Sequence, residues 1–215
     1  MDVETSYFQH RYVPAIDANA PTLLLLHGTG GDETDLLELG RAMHPGAALL
    51  SPRGRVLENG MPRFFRRLSE GVFDLDDLRV RAAELSDFLV AASGTYGFNP
   101  KGVIAVGYSN GANIAASLLL LHPGVLAATV LYHAMIPLTP ETLPDLSRVP
   151  VFIGAGRRDS MIRPAETEAL EKLLRQAGAQ VTMHWEQSGH GLNREEVQHA
   201  TEWLQTIAAN HEERL

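Results

Sequence analysis

The sequence predicts one α/β domain spanning residues 1–215, with a mostly parallel central sheet, helices on both faces and no separate lid domain. Three observations predict it. Short, continuous apolar runs recur along the chain, the pattern of strands buried on both faces. Between them lie segments whose apolar residues are spaced by three or four, the period of an amphipathic helix. The length of 215 residues suits one domain, and no linker, low-complexity tract or internal repeat divides it.

Taken in order, Thr22 to Leu26 is the first apolar strand and runs into the turn His27-Gly28-Thr29-Gly30-Gly31. Ala47 to Leu50 is a second, weaker strand before Ser51-Pro52. Leu75 to Ala92 carries Leu78, Ala82, Leu85, Leu89 and Ala92 on one helical face, with Gly94 and Gly97 beyond its end. Lys101 to Val106 reads as a strand and Asn110 to His122 as a helix stopped by Pro123-Gly124. Val125 to Tyr132 and Val149 to Ala155 are two further buried strands. Pro164 opens a helix running to about Ala177, with Gly178 suited to its cap, and Gln180 to Glu186 is the last strand. Asn193 and Glu196 have the spacing of a capping box for a C-terminal helix carrying Val197, Trp203, Leu204 and Ile207.

Composition removes several functions. Hydrophobic residues are 45% and charged residues 20%, an ordinary globular balance. With 18 Lys plus Arg against 26 Asp plus Glu, the net charge of −8 is a poor match for a phosphate backbone, so nucleic acid is not an expected partner. The absence of cysteine excludes a thiol nucleophile and thiolate metal sites. Met1-Asp2-Val3-Glu4 lacks the basic start of a leader, and the longest aliphatic runs are far short of a span. A cytoplasmic protein without membrane attachment is the expectation.

Chemistry concentrates in a few places. Gly107-Tyr108-Ser109-Asn110-Gly111 fits the nucleophile elbow, a sharp strand-to-helix turn that lifts a serine above the sheet, and its glycines avoid a Cβ where the turn is crowded. A serine hydroxyl needs a base, and that base needs an orienting acid. His190, in Ser188-Gly189-His190-Gly191 after the last strand, is the expected base; His184, inside the strand, is expected to pack or pair. Asp159, after the strand ending near Gly156, is the expected acid, with Asp145 a weaker competitor because it precedes that strand. The loop after the first strand supplies oxyanion donors in such a fold, so the backbone N–H groups of Thr29 and Asn110 are assigned that role. His27 is expected to brace its loop, and Asp32, Glu33 and Asp35 to complement a helix dipole, not to bind a metal. No cofactor and no metal are implied.

With Leu26-His27-Gly28-Thr29-Gly30-Gly31-Asp32, the elbow, Asp159 with Ile162 and Pro164, and Gly189-His190-Gly191 in place, the chain resembles the phospholipase/carboxylesterase family of α/β-hydrolases over nearly its whole length. Gly60 through Arg67 and Gly107 through Ala115 resemble a branch of small bacterial carboxylesterases. The resemblance implies the α/β-hydrolase fold, a triad of Ser109, Asp159 and His190, oxyanion donors at Thr29 and Asn110, and a possible homodimer. Many members carry Gln where this chain has Asn110, and thioesterase-like members usually carry an apolar residue where it has Thr29.

The substrate-determining element is expected in the stretch from Pro52 to Phe73, which has little regular period and joins a strand end to a helix. Met61, Phe64, Phe65 and Phe73 are candidates for the substrate pocket, with anchoring of a long loop as the competing role; Arg63, Arg66 and Arg67 are expected to form a solvated face, with anion binding as the competing role. The expected function is a cofactor-free serine carboxylesterase acting on small, short-acyl esters through an acyl-enzyme. An acyl thioesterase or lysophospholipase shares the same residues, and a ligand-binding protein of this fold is the remaining alternative.

Overall fold

A computed structural model describes residues 7–17 and 19–212 of the protein; the leader region Met1 to Glu4 considered above lies outside them. Seven strands form the main sheet: β1 (His10–Val13), β2 (Thr22–Leu26), β3 (Ala48–Pro52), β8 (Val103–Tyr108), β9 (Ala128–Tyr132), β10 (Pro150–Gly156) and β11 (Gln180–Glu186). Two small hairpins, β4 (Val56–Glu58) with β5 (Met61–Arg63) and β6 (Arg67–Ser69) with β7 (Val72–Phe73), stand outside it. The helices are α1 (Leu37–Met43), α2 (Leu75–Tyr96), α3 (Asn110–Leu121), α4 (Pro164–Gln176) and α5 (Arg194–Glu212).

The strand order is β1-β3-β2-β8-β9-β10-β11, parallel throughout except for β1 at the edge. Pleating sorts the apolar runs: Leu24 and Leu26 of β2 face one cluster, Leu23 and Leu25 the other. The first cluster is completed by Leu78, Leu85 and Phe88 of α2, Ile114 and Leu118 of α3 and Leu170 and Leu174 of α4. The second is closed by Met43 of α1 and by Ala200 and Leu204 of α5. Order reverses between β2 and β8, since β3 lies on one side of β2 and the chain returns to the other. Open α/β sheets bind ligands at such a point, beyond the strands' carboxyl ends.

Several boundaries depart from the sequence reading. Strand β8 starts at Val103, because Pro100–Gly102 forms a 3-10 turn capped by the Asn99 side chain. Helix α2 runs through Gly94 to Tyr96 and ends where Gly97 takes a left-handed φ of 75°. Edge strand β1 is not evident from an apolar run because HRYV is half-exposed; its Tyr12 stacks on Tyr96 at 4.0 Å and His10 Nε2 lies 2.7 Å from the Tyr96 hydroxyl. The irregular stretch from Pro52 to Phe73 holds the two hairpins, whose strands of two and three residues are too short to show a period. No described helix is long and apolar enough to cross a membrane.

Candidate active site

The elbow is built by sterics within one short segment. Ser109 sits at φ 53°, ψ −113°, a strained backbone between the last residue of β8 and the first of α3. A Cβ on Gly107 would lie 2.6 Å from the Gly111 carbonyl oxygen, and one on Gly111 would strike the Leu26 carbonyl group. Glycine at both positions lets α3 start directly against β2 and β8. The Ser109 N–H donates to the Tyr132 carbonyl at 2.9 Å, fixing the turn to β9.

His190 and Asp159 arrive from loops following β11 and β10. His190 Nε2 is 3.0 Å from Ser109 Oγ, and His190 Nδ1 is 2.7 Å from Asp159 Oδ2. An ionised carboxylate only accepts, so Nδ1 carries the proton and Nε2 is left to accept from the serine hydroxyl. The loop is held by the Tyr108 hydroxyl, which donates to the His190 carbonyl at 2.9 Å. Asp159 is 9% exposed, and its Oδ1 accepts the N–H groups of Met161 and Ile162 at 2.8 and 3.0 Å. Burial pushes the Asp159 carboxyl up, but hydrogen bonds from His190, Ile162, Met161 and His133 outweigh it and hold it below the usual carboxylate range. Asp145 is exposed and caps the Ser147 N–H at 2.9 Å, remote from this arrangement. His184 is paired with Glu186 at 2.7 Å.

The loop after β2 lies beside the elbow. Arg63 Nη1 donates to Thr29 Oγ1 at 2.6 Å, and the Gly30 N–H donates to the Pro62 carbonyl at 2.9 Å, so hairpin β4–β5 straps this loop in place. Arg63 is 3% exposed and also pairs with Glu58 at 3.2 Å. This corrects the expectation of a solvated arginine face: Arg66 is exposed and Arg67 pairs with Glu58, whereas Arg63 is buried because Thr29, the Phe65 carbonyl and Glu58 satisfy its donors. The Asn110 side chain has a related job. Its Oδ1 accepts the Phe64 N–H at 2.7 Å, tying the hairpin segment to the elbow. His27 braces its loop as expected: Nε2 accepts the Gly54 N–H at 2.9 Å and Nδ1 faces the Gly28 carbonyl at 2.6 Å, and burial keeps the ring's pKa low.

The four candidate pocket residues separate into two roles. Met61 is half-exposed and lies over the loop after β2, its Sδ 3.6 Å from where a Cβ on Gly30 would stand. Phe65 has no exposed surface and meets Phe73 edge to face at 5.0 Å inside the first core cluster, so Phe65 does not line an open pocket. Phe64, 3% exposed, packs on the His27 ring at 4.8 Å. Apolar burial has turned these rings into anchors of the loop.

One neighbour of Asp159 escaped the sequence reading. His133, immediately after β9 at the same carboxyl edge, places Nδ1 3.0 Å from Asp159 Oδ2 and Nε2 3.2 Å from Glu196 Oε2. The position after a strand was its available signal, the same one that marked Asp159. For Glu196 the signal lay in the spacing 196, 200, 204, since Ala200 and Leu204 are fully buried and the glutamate shares their face. Asn193 Oδ1 does accept the Glu196 N–H at 2.9 Å, but the glutamate side chain points to His133 and does not complete a capping box. Among the described residues two sets could offer three ligand atoms to a cation, His133, Asp159 and His190, and His184, Glu186 and His199. The first set spends its atoms on one another.

Residues 71–213 match the dienelactone hydrolase family. The chain belongs to that family. This family member is 56% identical over 181 residues to the Bacillus subtilis (strain 168) protein MhqD, whose name assigns it to the hydrolases, covering 84% of this chain and 90% of that one. It superposes on the crystal structure of the Bacillus cereus carboxylesterase with a TM-score of 0.92 at 49% identity, covering 94% and 95% of the two chains. A carboxylesterase from Mesorhizobium loti gives 0.82 at 33% identity, covering 87% and 89%. The fold is that of the α/β-hydrolase carboxylesterases, and the chain is a hydrolase of that kind.

Proposed function

We propose that the protein is a serine carboxylesterase hydrolysing small, short-acyl carboxylic esters through an acyl-enzyme. The observation that carries this reading is the unbroken chain from Ser109 Oγ to His190 Nε2 at 3.0 Å and from His190 Nδ1 to Asp159 Oδ2 at 2.7 Å, built on a strained elbow. In this reaction Ser109 Oγ attacks the ester carbonyl as His190 takes its proton, and Asp159 stabilises the imidazolium without being protonated. The N–H groups of Thr29 and Asn110 receive the developing oxyanion, one from the strapped loop and one from the first turn of α3. His190 then protonates the leaving alcohol. Water, deprotonated by the same ring, releases the acid and returns the proton to Ser109.

The short-acyl preference is supported by the scale of what surrounds the serine. Only two small hairpins are inserted between β3 and α2, and Met61 lies directly over the oxyanion loop. A pocket ended by such a side chain gains roughly 0.8 kcal/mol per buried methylene until the acyl chain meets the wall, and nothing beyond it. The test is kcat/KM for p-nitrophenyl esters of increasing acyl length, run beside matched thioesters, with a fluorophosphonate adduct located by mass spectrometry. The expected profile rises over the first few carbons, falls beyond about six, and the adduct is on Ser109. A profile still climbing at twelve to sixteen carbons, or an adduct elsewhere, overturns the proposal.

A further inference from the structure

Behind the acid lies a buried pair that the ester reaction does not itself use. His133 and Glu196 have side chains with no exposed surface, and Asp159 has almost none. Each ring nitrogen of His133 faces a carboxylate, Nδ1 toward Asp159 at 3.0 Å and Nε2 toward Glu196 at 3.2 Å. A neutral imidazole has one N–H, so it could satisfy only one of two ionised carboxylates. The other contact would set a lone pair against a negative oxygen in a buried interior, which is expensive. With both carboxylates ionised, both ring nitrogens must therefore carry protons, and the contact to Glu196 is made through Oε2, since its Oε1 is buried without a hydrogen-bond partner. The His133 backbone is held for the purpose: φ is 52°, its N–H donates to the Gly154 carbonyl at 2.8 Å, the next carbonyl accepts from Thr167 Oγ1 at 2.9 Å, and the Met135 N–H donates to Asn113 Oδ1 at 3.0 Å. On the other side Gly154 leaves room for Glu196, whose Oε1 would lie 2.5 Å from a Cβ there.

We propose that His133 and Glu196 are positioning residues for Asp159, forming a protonated imidazole clamped between two buried carboxylates that keeps Asp159 ionised and aimed at His190. The inference rests on the triad assigned above. With His133 in place, Asp159 receives four donors, from His190 and His133 on Oδ2 and from the Met161 and Ile162 N–H groups on Oδ1, which leaves neither rotation nor a proton-binding site free. The groups facing His133 are Asp159, Glu196, the His190 ring at 5.1 Å and the Tyr108 ring at 5.9 Å. Burial alone pushes the His133 pKa down, yet the hydrogen bonds and charges of Glu196 and Asp159 raise it overall. The imidazolium also places a positive charge near His190, ring to ring at 5.1 Å, with its compensating anion on the far side.

The test is the pH dependence of kcat and kcat/KM for p-nitrophenyl butyrate in Glu196→Gln, whose amide can donate to Nε2 and make a neutral His133 acceptable. The expected result is a kcat reduced about tenfold with KM within about twofold. The acid limb of kcat/KM, which reports the base, should move to higher pH by roughly half a unit or more, because the nearby positive charge is gone. The double variant His133→Asn, Glu196→Gln removes both charges together, and asparagine tolerates the left-handed backbone at 133; it should move the limb the same way. If either folded variant keeps the wild-type limb and kcat and shows only a lower Tm, the pair is structural support and the inference fails. Fluorophosphonate labelling separates the two readings: an adduct on Ser109 with an unmoved limb overturns the relay alone, and an adduct elsewhere overturns the triad on which it rests.

Discussion

The nucleophile end and the acid end of the candidate site are assembled by different physics. At the elbow, residues 107 to 111 are contiguous, and the turn is fixed by the absence of two Cβ atoms and by α3 starting at once after Ser109. At the acid end, Asp159, His133 and Glu196 come from the ends of β10 and β9 and from the first turn of α5, and what joins them is charge and hydrogen bonding in a buried interior. A motif made by local sterics can lose its chemistry without losing its shape. A cluster made by long-range pairing cannot lose a member without leaving a buried charge behind, so there chemistry and stability are coupled.

Ser109→Ala tests the separable end. It should lower kcat for a short-chain ester by about 10⁴-fold or more while leaving Tm essentially unchanged, because the hydroxyl is the proposed nucleophile and contributes little to packing. Turnover within tenfold of wild type would show that the nucleophile lies elsewhere. Asp159→Asn tests the coupled end: kcat should drop by roughly 10⁴-fold, since the amide cannot stabilise an imidazolium, and Tm should fall as well. Asp145→Asn, at an exposed turn, serves as the matched control and should change neither.

Shape itself is attacked by Gly111→Ala, whose methyl would enter the Leu26 carbonyl. The expected loss exceeds about 4 kcal/mol of stability, read by chemical denaturation or as failure to accumulate folded protein, because backbone must move to relieve the contact. A milder effect is expected from Asn110→Ala, which leaves the Phe64 N–H without its acceptor at a cost of about 1–3 kcal/mol. The Asn110 N–H proposed as an oxyanion donor survives, so KM should rise more than kcat falls; the reverse would mean that the side chain, not the tether, matters to the reaction.

The gentlest probe is pH. Asp159 titrates below the usual carboxylate range, so the stability it contributes is complete above about pH 4 and lost as the pH falls through its lowered pKa. His133 titrates above the usual histidine range, so its contribution is complete below about pH 6.5 and lost as the pH rises through the raised value. The Tm should therefore fall on both sides, Ser109→Ala should retain both limbs, and Glu196→Gln should lose the alkaline one. Persistence of the alkaline limb in that variant would assign it to another group.

What the sequence determined by itself is the short-range part. Alternating apolar runs and helical periods marked the parallel sheet and its covering helices, because burial on both faces leaves a run such as Thr22–Leu26 without polar interruption; the half-exposed edge strand β11 was also found with its ends in place. The elbow was legible because its cause, two missing Cβ atoms around a serine, is written in five adjacent residues. Asp159 and His190 followed from their places after strands, where this architecture gathers its chemistry.

Only the tertiary structure decided which way side chains near those places turn. Glu196 has the spacing of a helix-capping glutamate, yet α5 packs across the sheet so that its side chain meets His133. Arg63, one of three arginines at positions 63, 66 and 67, is buried because the hairpin folds it against Thr29, and Phe65 is an anchor because the same folding drives it into the core beside Phe73. The reason is common to all three. Periodicity and backbone sterics act over a few residues, whereas the environment that makes a charge worth burying is supplied by segments distant in the chain, and their proximity is fixed only when the strands take their order in the sheet.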